Sequence, residues 1–380
     1  MLKRVSIQNF KSLKDVTLDL QKVNLLIGPN NSGKTNFLKA LEVANNLNKN
    51  VYYVGRDVCY LKHNTNSPTF YYVFDDTLPW AVSGDYNHYR IAENDENKDY
   101  PVDDITLKVG QGSNRELIEL PDDFKENPVS YNKDVFLHNL QYNLINVRIY
   151  KPDPNKLTKP GPVGTGEEIL NADCSNLVGF LDLMLGKYRR PVFNRTEKDI
   201  STCIPEFDEI NLEDATPTTD LKKIYGDKSF KRIGLTNSKQ GVTYWADELS
   251  EGTLYFLALL CIINQPNPPK ILLLEEPEKG IHPRRIFEVI QFILRLVEEK
   301  DVQVIMTTHS PIVVDMFKDM PESVFIFDKD EEGATHVKNL QRDVIEPETA
   351  KSKELGVEPP HYTDSLGDAW TVGFLGGVPK

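Results

Sequence analysis

"LLIGPNNSGKTN", residues 25–36, places a glycine-rich loop between two segments of different periodicity. The run Val23 to Ile27 is continuously apolar, which is typical of a strand that is buried on both faces. After Lys34 the apolar residues recur at helical spacing, at Phe37, Leu38, Leu41, Ala44 and Leu47. The order strand, loop, helix therefore predicts the first unit of an α/β fold with a parallel sheet.

Residues 28–35, "GPNNSGKT", fit the pattern of a phosphate-binding loop, and we call them the phosphate loop. In such a loop backbone N–H groups surround the phosphates of a nucleotide, and the lysine reaches the β- and γ-phosphates. The hydroxyl of Thr35 is the expected ligand of Mg²⁺. The alternative is a glycine-rich turn without a ligand. We predict that the nucleotide contacts are made by Gly28, Asn30, Asn31, Ser32, Gly33, Lys34, Thr35 and Asn36.

A second motif follows the apolar run Ile271 to Leu274, which leads into "EEPEKGIHP". It places Glu275 and Glu276 at the carboxyl end of a buried parallel strand, where ligands of α/β sheets bind. Burying two adjacent carboxylates is costly unless a cation or a reacting water needs them. We predict that Glu275 binds Mg²⁺, directly or through water, and that Glu276 is the general base. The alternative is an ordinary acidic loop.

Two further segments place polar residues at the ends of predicted elements. His309 follows the apolar run Val302 to Met306, where its imidazole can hydrogen-bond a γ-phosphate or an attacking water. Ser250 is the predicted N-cap of an apolar helix, and Gly252 lies close behind it. The unpaired N–H groups of such a helix start suit a phosphate. Considered alone, a single histidine is more often structural, and Ser250 marks only a helix start.

Composition limits the other possibilities. No apolar run approaches the ~20 residues that span a bilayer, and the N-terminus alternates like a strand, so we expect a cytosolic protein. The 4 cysteines form no C-x-x-C pair, which favours buried apolar roles over zinc or disulfides. A net charge of -13 excludes a uniform basic coat for DNA. The local stretches "KYRRPVFNR" and "KKIYGDKSFKR" could meet phosphates, but solvated surface is the favoured interpretation.

Together "GPNNSGKT", "LSEGT", "LLLEEPEKGIHP" and "TTHSP" stand in the order Walker A, signature, Walker B and switch histidine. This order resembles the ABC-type ATPase heads of the RecF, SMC and OLD group, as does the opening "VSIQNFKSLKDVTLDL". The motifs extend from residue 1 to 328, although residues 50–240 contribute little. The resemblance implies ATP hydrolysis by a dimer of heads. In that group the signature, here Ser250 and Gly252, contacts ATP held by the partner's Walker A.

The expected fold class is therefore α/β, a P-loop NTPase of ABC-ATPase type with a mixed sheet, an antiparallel β-lobe and a partly helical insert. The N-terminal ATPase lobe comprises residues 1–240, with Walker A in 1–50, the β-rich lobe in 51–150 and the Pro/Gly-led insert in 151–240. The C-terminal ATPase lobe comprises 241–345 and is followed by a tail, 346–380. The absence of sustained heptads excludes a long coiled-coil arm.

The sequence departs from the group at two points. Glu275 stands where the group more often has aspartate, and the extra methylene puts its metal contact in doubt. The group also has a glutamine lid between Walker A and the signature, for which Gln141 is only a weak candidate.

The resemblance leaves several functions open. We favour a dimer that acts as sensor and scaffold for a separately encoded nuclease or toxin, because only about 50 residues follow the last predicted strand and no nuclease cluster is evident. Stand-alone ATPases of this kind resemble the ATPase halves of antiphage systems such as Septu and PARIS. One alternative is a RecF-like clamp in DNA repair, with DNA as ligand. Another is a regulatory module that binds ATP and barely hydrolyses it.

Overall fold

The computed structural model describes residues 1–47, 69–74, 81–85, 106–110, 147–164, 168–187, 191–266, 268–279, 281–358 and 364–377. Contacts divide the chain into two compact units. The first unit comprises Met1–Val147 and Asp301–Lys380, and the second comprises Arg148–Lys300. The sequence-based lobes end instead at residues 240 and 345, and those boundaries remain a prediction.

Strands and helices alternate along much of the chain, as expected for an α/β protein. The described strands are β1 (Leu2–Phe10), β2 (Leu13–Asp19), β3 (Val23–Ile27), β4 (Thr69–Phe74), β5 (Ala81–Asp85), β6 (Thr106–Gly110), β7 (Ile149–Tyr150), β8 (Gly161–Pro162), β9 (Glu209–Asp214), β10 (Phe230–Asn237), β11 (Val242–Trp245), β12 (Ile271–Glu275), β13 (Gln303–Thr307), β14 (Val324–Lys329) and β15 (Thr335–Asn339). The described α-helices are α1 (Lys34–Leu47), α2 (Pro154–Leu157), α3 (Leu177–Lys187), α4 (Pro191–Cys203), α5 (Thr219–Tyr225), α6 (Glu251–Asn264), α7 (Pro283–Lys300), α8 (Pro311–Asp315), α9 (Glu346–Leu355) and α10 (Leu366–Thr371).

The first unit contains an antiparallel sheet in the order β2-β1-β4-β5-β6. Its register pairs Ile7 with Val16 on one side of β1 and Ser6 with Tyr71 on the other. Aromatic and β-branched runs in residues 51–150 predict antiparallel strands, and β4 and β6 lie at two of these runs, "TFYYVF" and "DITLKV". The predicted strands "HYRIA" and "ELIEL" lie outside the described residues.

The first unit also contains four strands in the order β15-β14-β3-β13. Both neighbours of β3 run parallel to it, and β15 pairs antiparallel at the edge. Leu25, Leu26 and Ile27 of β3 are fully buried, which confirms the predicted buried strand. Helix α1 covers this sheet with buried Phe37, whose ring meets Phe327 of β14 edge-on at 6.0 Å between centroids.

In the second unit β10 pairs antiparallel with β8, β9 and β11, and β12 pairs parallel with β7. Helix α6 is buried from Gly252 to Asn264, which is typical of a core helix that is apolar on all sides. The strands predicted at Ile271 to Leu274 and Val302 to Met306 are confirmed to within one residue at each end as β12 and β13, and α6 begins directly after its predicted N-cap Ser250.

The described cysteines behave as small apolar residues. Cys174 and Cys261 are fully buried free thiols, and burial raises the pKa of each thiol well above its usual range. Both therefore stay protonated and unreactive, as predicted for a buried thiol. Among the described residues there is no group of three His, Cys, Asp or Glu side chains arranged to hold a metal ion. Of the helices that the structure describes, none is long and apolar enough to cross a bilayer.

Candidate functional site

The phosphate loop leaves the sheet of the first unit between two strand ends. The parallel register pairs Leu26 with Thr307 of β13 and Ile27 with Ile326 of β14. Beyond the ladder, the N–H of Thr308 still donates to the carbonyl of Leu26 at 3.2 Å. Both strands therefore end beside the loop, in the crevice at the carboxyl edge where parallel sheets bind ligands.

Gly28 and Gly33 are required by the packing of the loop itself. Gly28 has φ +144°, and a Cβ there would lie 2.2 Å from the carbonyl oxygen of Phe327. Gly33 has φ +108°, and its Cβ would lie 2.2 Å from Oγ1 of Thr335. Only glycine adopts these dihedrals without strain and leaves that space free. The two glycines therefore allow the loop to pack closely against β14 and β15.

Lys34 is buried, and its ammonium is held by the loop. Nζ donates to the carbonyl oxygens of Gly28 at 2.7 Å and of Pro29 at 2.8 Å. Ser32 lies beside it, 2% exposed, and among the described residues its Oγ has no hydrogen-bond partner. A buried hydroxyl without a partner is costly, and a phosphate oxygen would satisfy it. The loop therefore fits a phosphate group next to a buried cation.

The other predicted loop residues have different surroundings. Asn30 and Asn31 are exposed, and Asn31 adopts φ +65°. Thr35 is half-buried. Asn36 is also half-buried, and its amide donates to Oγ of Ser12 at 2.8 Å. This contact ties Asn36 to the turn between β1 and β2.

A small hydroxyl network lies under the loop. Oγ1 of Thr335 donates to the carbonyl of Ser32 at 2.8 Å and lies 2.8 Å from Oγ of Ser12. The N–H of Thr335 donates to the carbonyl of Ser12, also at 2.8 Å. These bonds fix the loop from the β1–β2 turn and from β15. The sequence analysis missed both residues, because no local pattern marks them.

His309 lies at the same sheet edge as the phosphate loop. It is exposed and stands between buried Thr308 and Ser310, which precedes α8. The N–H of Ser310 donates to Oγ1 of Thr308 at 3.0 Å, so the turn that carries the imidazole is fixed by its neighbours. The structure thus brings His309 and the predicted loop residues together within the first unit.

The acidic motif lies in the second unit, where β12 ends beside β7. The register pairs Leu274 with Tyr150, so Lys151 emerges next to Glu275. Nζ of Lys151 lies 3.2 Å from Oε2 of Glu275 and 4.0 Å from Oε2 of Glu276. Nζ of Lys279 lies 3.1 Å from the same oxygen of Glu276. Two ammonium groups therefore offset the charge of the two adjacent carboxylates.

Glu275 and Glu276 are both half-buried, and Glu276 has φ +48°. This left-handed conformation is uncommon for a residue with a side chain and is concentrated at functional sites. Sequence reasoning missed Lys151, although the cost of two buried acids was a signal that a cation lies nearby. The predicted candidate for the glutamine lid, Gln141, lies outside the described residues.

The signature residues lie at the start of α6, also in the second unit. Ser250 is the N-cap, as predicted, and its Oγ accepts from the N–H of Thr253 at 3.1 Å. A Cβ added at Gly252 would meet only ordinary contacts, 3.8 Å from Cβ of Arg285 and 4.0 Å from Cγ2 of Ile281. The chain itself therefore has room for alanine at this position.

Two family models match the chain. One is described as "AAA ATPase domain" and matches residues 1–232, which is more than half of the chain. The other is described as "AAA domain, putative AbiEii toxin, Type IV TA system" and matches residues 175–315. Between them the two matches include the phosphate loop, the signature, the acidic motif and His309.

Two curated proteins are similar to this chain at low sequence identity. The OLD nuclease of Thermus scotoductus is 23% identical over 343 residues, which cover 83% of this chain and 60% of the nuclease. The energy-coupling factor transporter ATP-binding protein EcfA of Methanoculleus marisnigri is 25% identical over 167 residues, covering 43% of this chain and 54% of EcfA. The chain thus spans somewhat more than half the length of these relatives.

One solved structure is the crystal structure of the SmcHead bound to the C-winged helix domain of ScpA. It matches with a TM-score of 0.51 at 13% identity, over 89% of this chain and 96% of that chain. At this identity the likeness concerns the fold alone. It confirms the predicted α/β fold with a mixed sheet.

Proposed function

The chain belongs to the AAA ATPase domain family and is an ATPase of the RecF, SMC and OLD group, and from this premise we propose that it works as a dimer closed around ATP. The dimer acts as sensor and scaffold for a separately encoded effector, in defence against phage and in the cytoplasm. The observation that carries the nucleotide site is the phosphate loop, where buried Lys34 lies beside the unsatisfied hydroxyl of Ser32. Both groups fit phosphate oxygens.

The loop N–H groups and Lys34 bind the β- and γ-phosphates of ATP. Thr35 and Glu275 are the residues that would hold Mg²⁺, since hydroxyl and carboxylate oxygens are ligands that this ion prefers. When bound there, Mg²⁺ would supply positive charge that offsets the negative charge of the β- and γ-phosphates.

Glu276 takes a proton from the attacking water as its oxygen bonds to the γ-phosphorus. The bond from that phosphorus to the bridging oxygen breaks, and ADP leaves with the electron pair. The imidazole of His309 donates a hydrogen bond to the γ-phosphate, which spreads the developing charge. Lys151 and Lys279 keep the two acids close together at the end of β12 until the cation binds.

The dimer follows from the signature. Among the described residues an added Cβ at Gly252 meets only ordinary contacts, which leaves room for a molecule that approaches the start of α6. The start of α6 offers unpaired N–H groups and a partial positive charge, which suit a phosphate. We therefore assign Ser250 and Gly252 to the ATP that the partner's phosphate loop holds. Two such sites lie across one two-fold axis.

The effector is the least direct part of the proposal. The relatives that support it are named as a nuclease and, in one family description, as a toxin of a toxin–antitoxin system. We propose a nuclease or toxin encoded by a separate gene, which the dimer holds inactive or activates when ATP is hydrolysed.

The RecF-like alternative, with DNA as the main ligand, has less support from the surface. In the basic stretch "KKIYGDKSFKR", Nζ of Lys231 lies 2.6 Å from Oδ1 of Asp182. In the same stretch Nη2 of Arg232 lies 2.5 Å from Oε2 of Glu213. These cations are therefore partly neutralised by acids of the same unit. ATPase rates with and without duplex DNA at two salt concentrations distinguish the functions, since a DNA clamp requires stimulation that falls steeply with salt.

The substitution Glu276→Gln tests the catalytic assignment. Removing the proton acceptor should slow turnover by about 100-fold or more, with ATP affinity and dimerisation unchanged. Glu299→Gln, at an exposed position of α7, is the matched control and should turn over like the wild type. Unchanged turnover in Glu276→Gln removes this residue from the catalytic role.

A further inference from the structure

The segment 364–377, which we call the brace, belongs to the first unit. It consists of helix α10 and a short segment that turns back along the helix. Leu366, Trp370 and Leu375 are buried at 0%, 7% and 3% exposure. After α10 the chain turns back, and the indole N–H of Trp370 donates to the carbonyl of Gly377 at 3.2 Å. This bond fixes the end of the brace relative to its helix.

One end of the brace touches the phosphate loop. A Cβ at Gly377 would lie 2.6 Å from Cγ2 of Ile326, 3.4 Å from the carbonyl oxygen of Phe327 and 3.5 Å from Cα of Gly28. The same Phe327 oxygen limits Gly28 from the other side. The carbonyl of Gly28 in turn accepts from the ammonium of Lys34. Gly377 is therefore one contact from the backbone that holds Lys34.

The other end of the brace touches the helix that follows His309. The N–H of Gly367 donates to Oδ1 of Asp315 at 2.7 Å. A Cβ at Gly367 would lie 2.4 Å from the carbonyl oxygen of Pro311, the first residue of α8. Helix α8 starts two residues after His309, so a shift of α8 would move the turn that carries the imidazole.

We propose that the brace positions both nucleotide-contacting parts of the first unit, with Gly377 supporting the phosphate loop and Gly367 supporting the turn of His309. This inference rests on the proposed ATP site.

An added methyl group at Gly367 collides with the backbone carbonyl of Pro311. At Gly377 it collides with Cγ2 of Ile326, whose backbone pairs with Ile27 directly before the phosphate loop, so a shift of Ile326 moves the start of the loop. Displacement of the loop should weaken ATP binding, and displacement of His309 should slow turnover. Neither glycine touches the reacting atoms.

The test uses the full-length protein and a neighbouring glycine as control. Gly377 and Gly376 both have left-handed dihedrals, φ +65° and +76°, so alanine brings similar backbone strain at either position. At Gly376 an added Cβ meets nothing within 4 Å. The difference between Gly377→Ala and Gly376→Ala therefore isolates the collision with Ile326, the neighbour of Ile27 at the start of the loop.

We expect Gly377→Ala to raise the Kd of a fluorescent ATP analogue about tenfold, because displacements below 1 Å suffice for such losses. Gly376→Ala should bind within about twofold of the wild type. Gly367→Ala should leave the Kd unchanged and reduce kcat about tenfold. Thermal melting and gel filtration establish that each variant is folded. If Gly377→Ala does not fold, Trp370→Phe, which removes only the indole donor, should raise the Kd in its place.

Lys34→Ala is measured alongside to separate two kinds of failure. If the wild type binds the analogue no better than Lys34→Ala, the proposed ATP site is wrong and the inference fails with it. If Lys34→Ala loses binding but Gly377→Ala and Trp370→Phe bind like Gly376→Ala, the ATP site stands and the role of the brace is refuted.

Discussion

The phosphate loop and the start of α6 both contain motif glycines, but the surroundings of these glycines differ. Gly28 and Gly33 have left-handed or extended positive dihedrals, and any Cβ would collide with atoms of the same chain. Gly252 is helical, and a Cβ there meets only ordinary contacts. The loop glycines are therefore explained by folding alone. At Gly252 no contact among the described residues requires glycine, in contrast to the loop glycines.

The polar groups of the two motifs are alike in one respect. Lys34 is held by the carbonyls of its own loop, and Oγ of Ser250 is held by the N–H of Thr253. Each group is oriented before any phosphate arrives, which reduces the entropy that binding costs. The two motifs thus differ in how closely other atoms approach their glycines. They agree in that hydrogen bonds within the motif fix the polar side chain.

The largest expected effect is on stability, at the phosphate loop. Gly28→Ala places a methyl group against the carbonyl of Phe327 and forces alanine to a positive φ, so the free energy of unfolding should fall by about 3 kcal/mol. Chemical denaturation of the purified variant measures the loss. Stability equal to the wild type would mean that the loop glycines are not required by folding, and the contrast with Gly252 would disappear.

The next effect is on binding. Lys34→Ala removes a charged donor to the phosphates, worth about 2 kcal/mol, so ATP affinity should fall about 30-fold. Titration with a fluorescent ATP analogue measures it. Arg295→Ala, at an exposed position of α7, is a control that should bind normally. Equal affinities for Lys34→Ala and the wild type would place the nucleotide elsewhere.

The smallest expected change in stability is at Gly252. Alanine is the better helix former and fits the available space, so Gly252→Ala should leave the free energy of unfolding unchanged or raise it by up to ~1 kcal/mol. Turnover should nevertheless fall, because the methyl group meets the partner's ATP. A loss of stability with normal turnover would show that Gly252 serves its own fold, as Gly28 does.

The sequence predicts those parts of the site that depend on local patterns. The spacing of Gly28, Gly33 and Lys34 defines the loop, and periodicity places β3, α1, β12 and α6 around the motifs. These features follow from dihedral requirements and from burial of one element at a time. They can be recognised in a single stretch of chain.

The missed residues all depend on pairings between distant segments. Lys151 reaches Glu275 only because β7 lies beside β12 in the correct register. Thr335 supports the loop through Ser12, 323 positions away. Gly377 touches Gly28 from the far end of the chain. No periodicity or spacing encodes such contacts, since they follow from strand order and not from local propensity.

Whether two chains share each ATP is tested most directly by mixing two inactive variants. Lys34→Ala disables the phosphate loop. Gly252→Asp leaves α6 a favourable acidic first turn, but it sets a negative charge against the partner's phosphates. In an equal mixture half of the dimers should be mixed, and each of these has one site built from two intact halves. We predict about a quarter of wild-type ATPase activity.

The control replaces Gly252→Asp with a chain that carries both substitutions, since no mixed dimer then has an intact site. Restored activity in the first mixture but not in the control is the predicted result. Activity in the first mixture no higher than that of the separate variants would contradict the shared site.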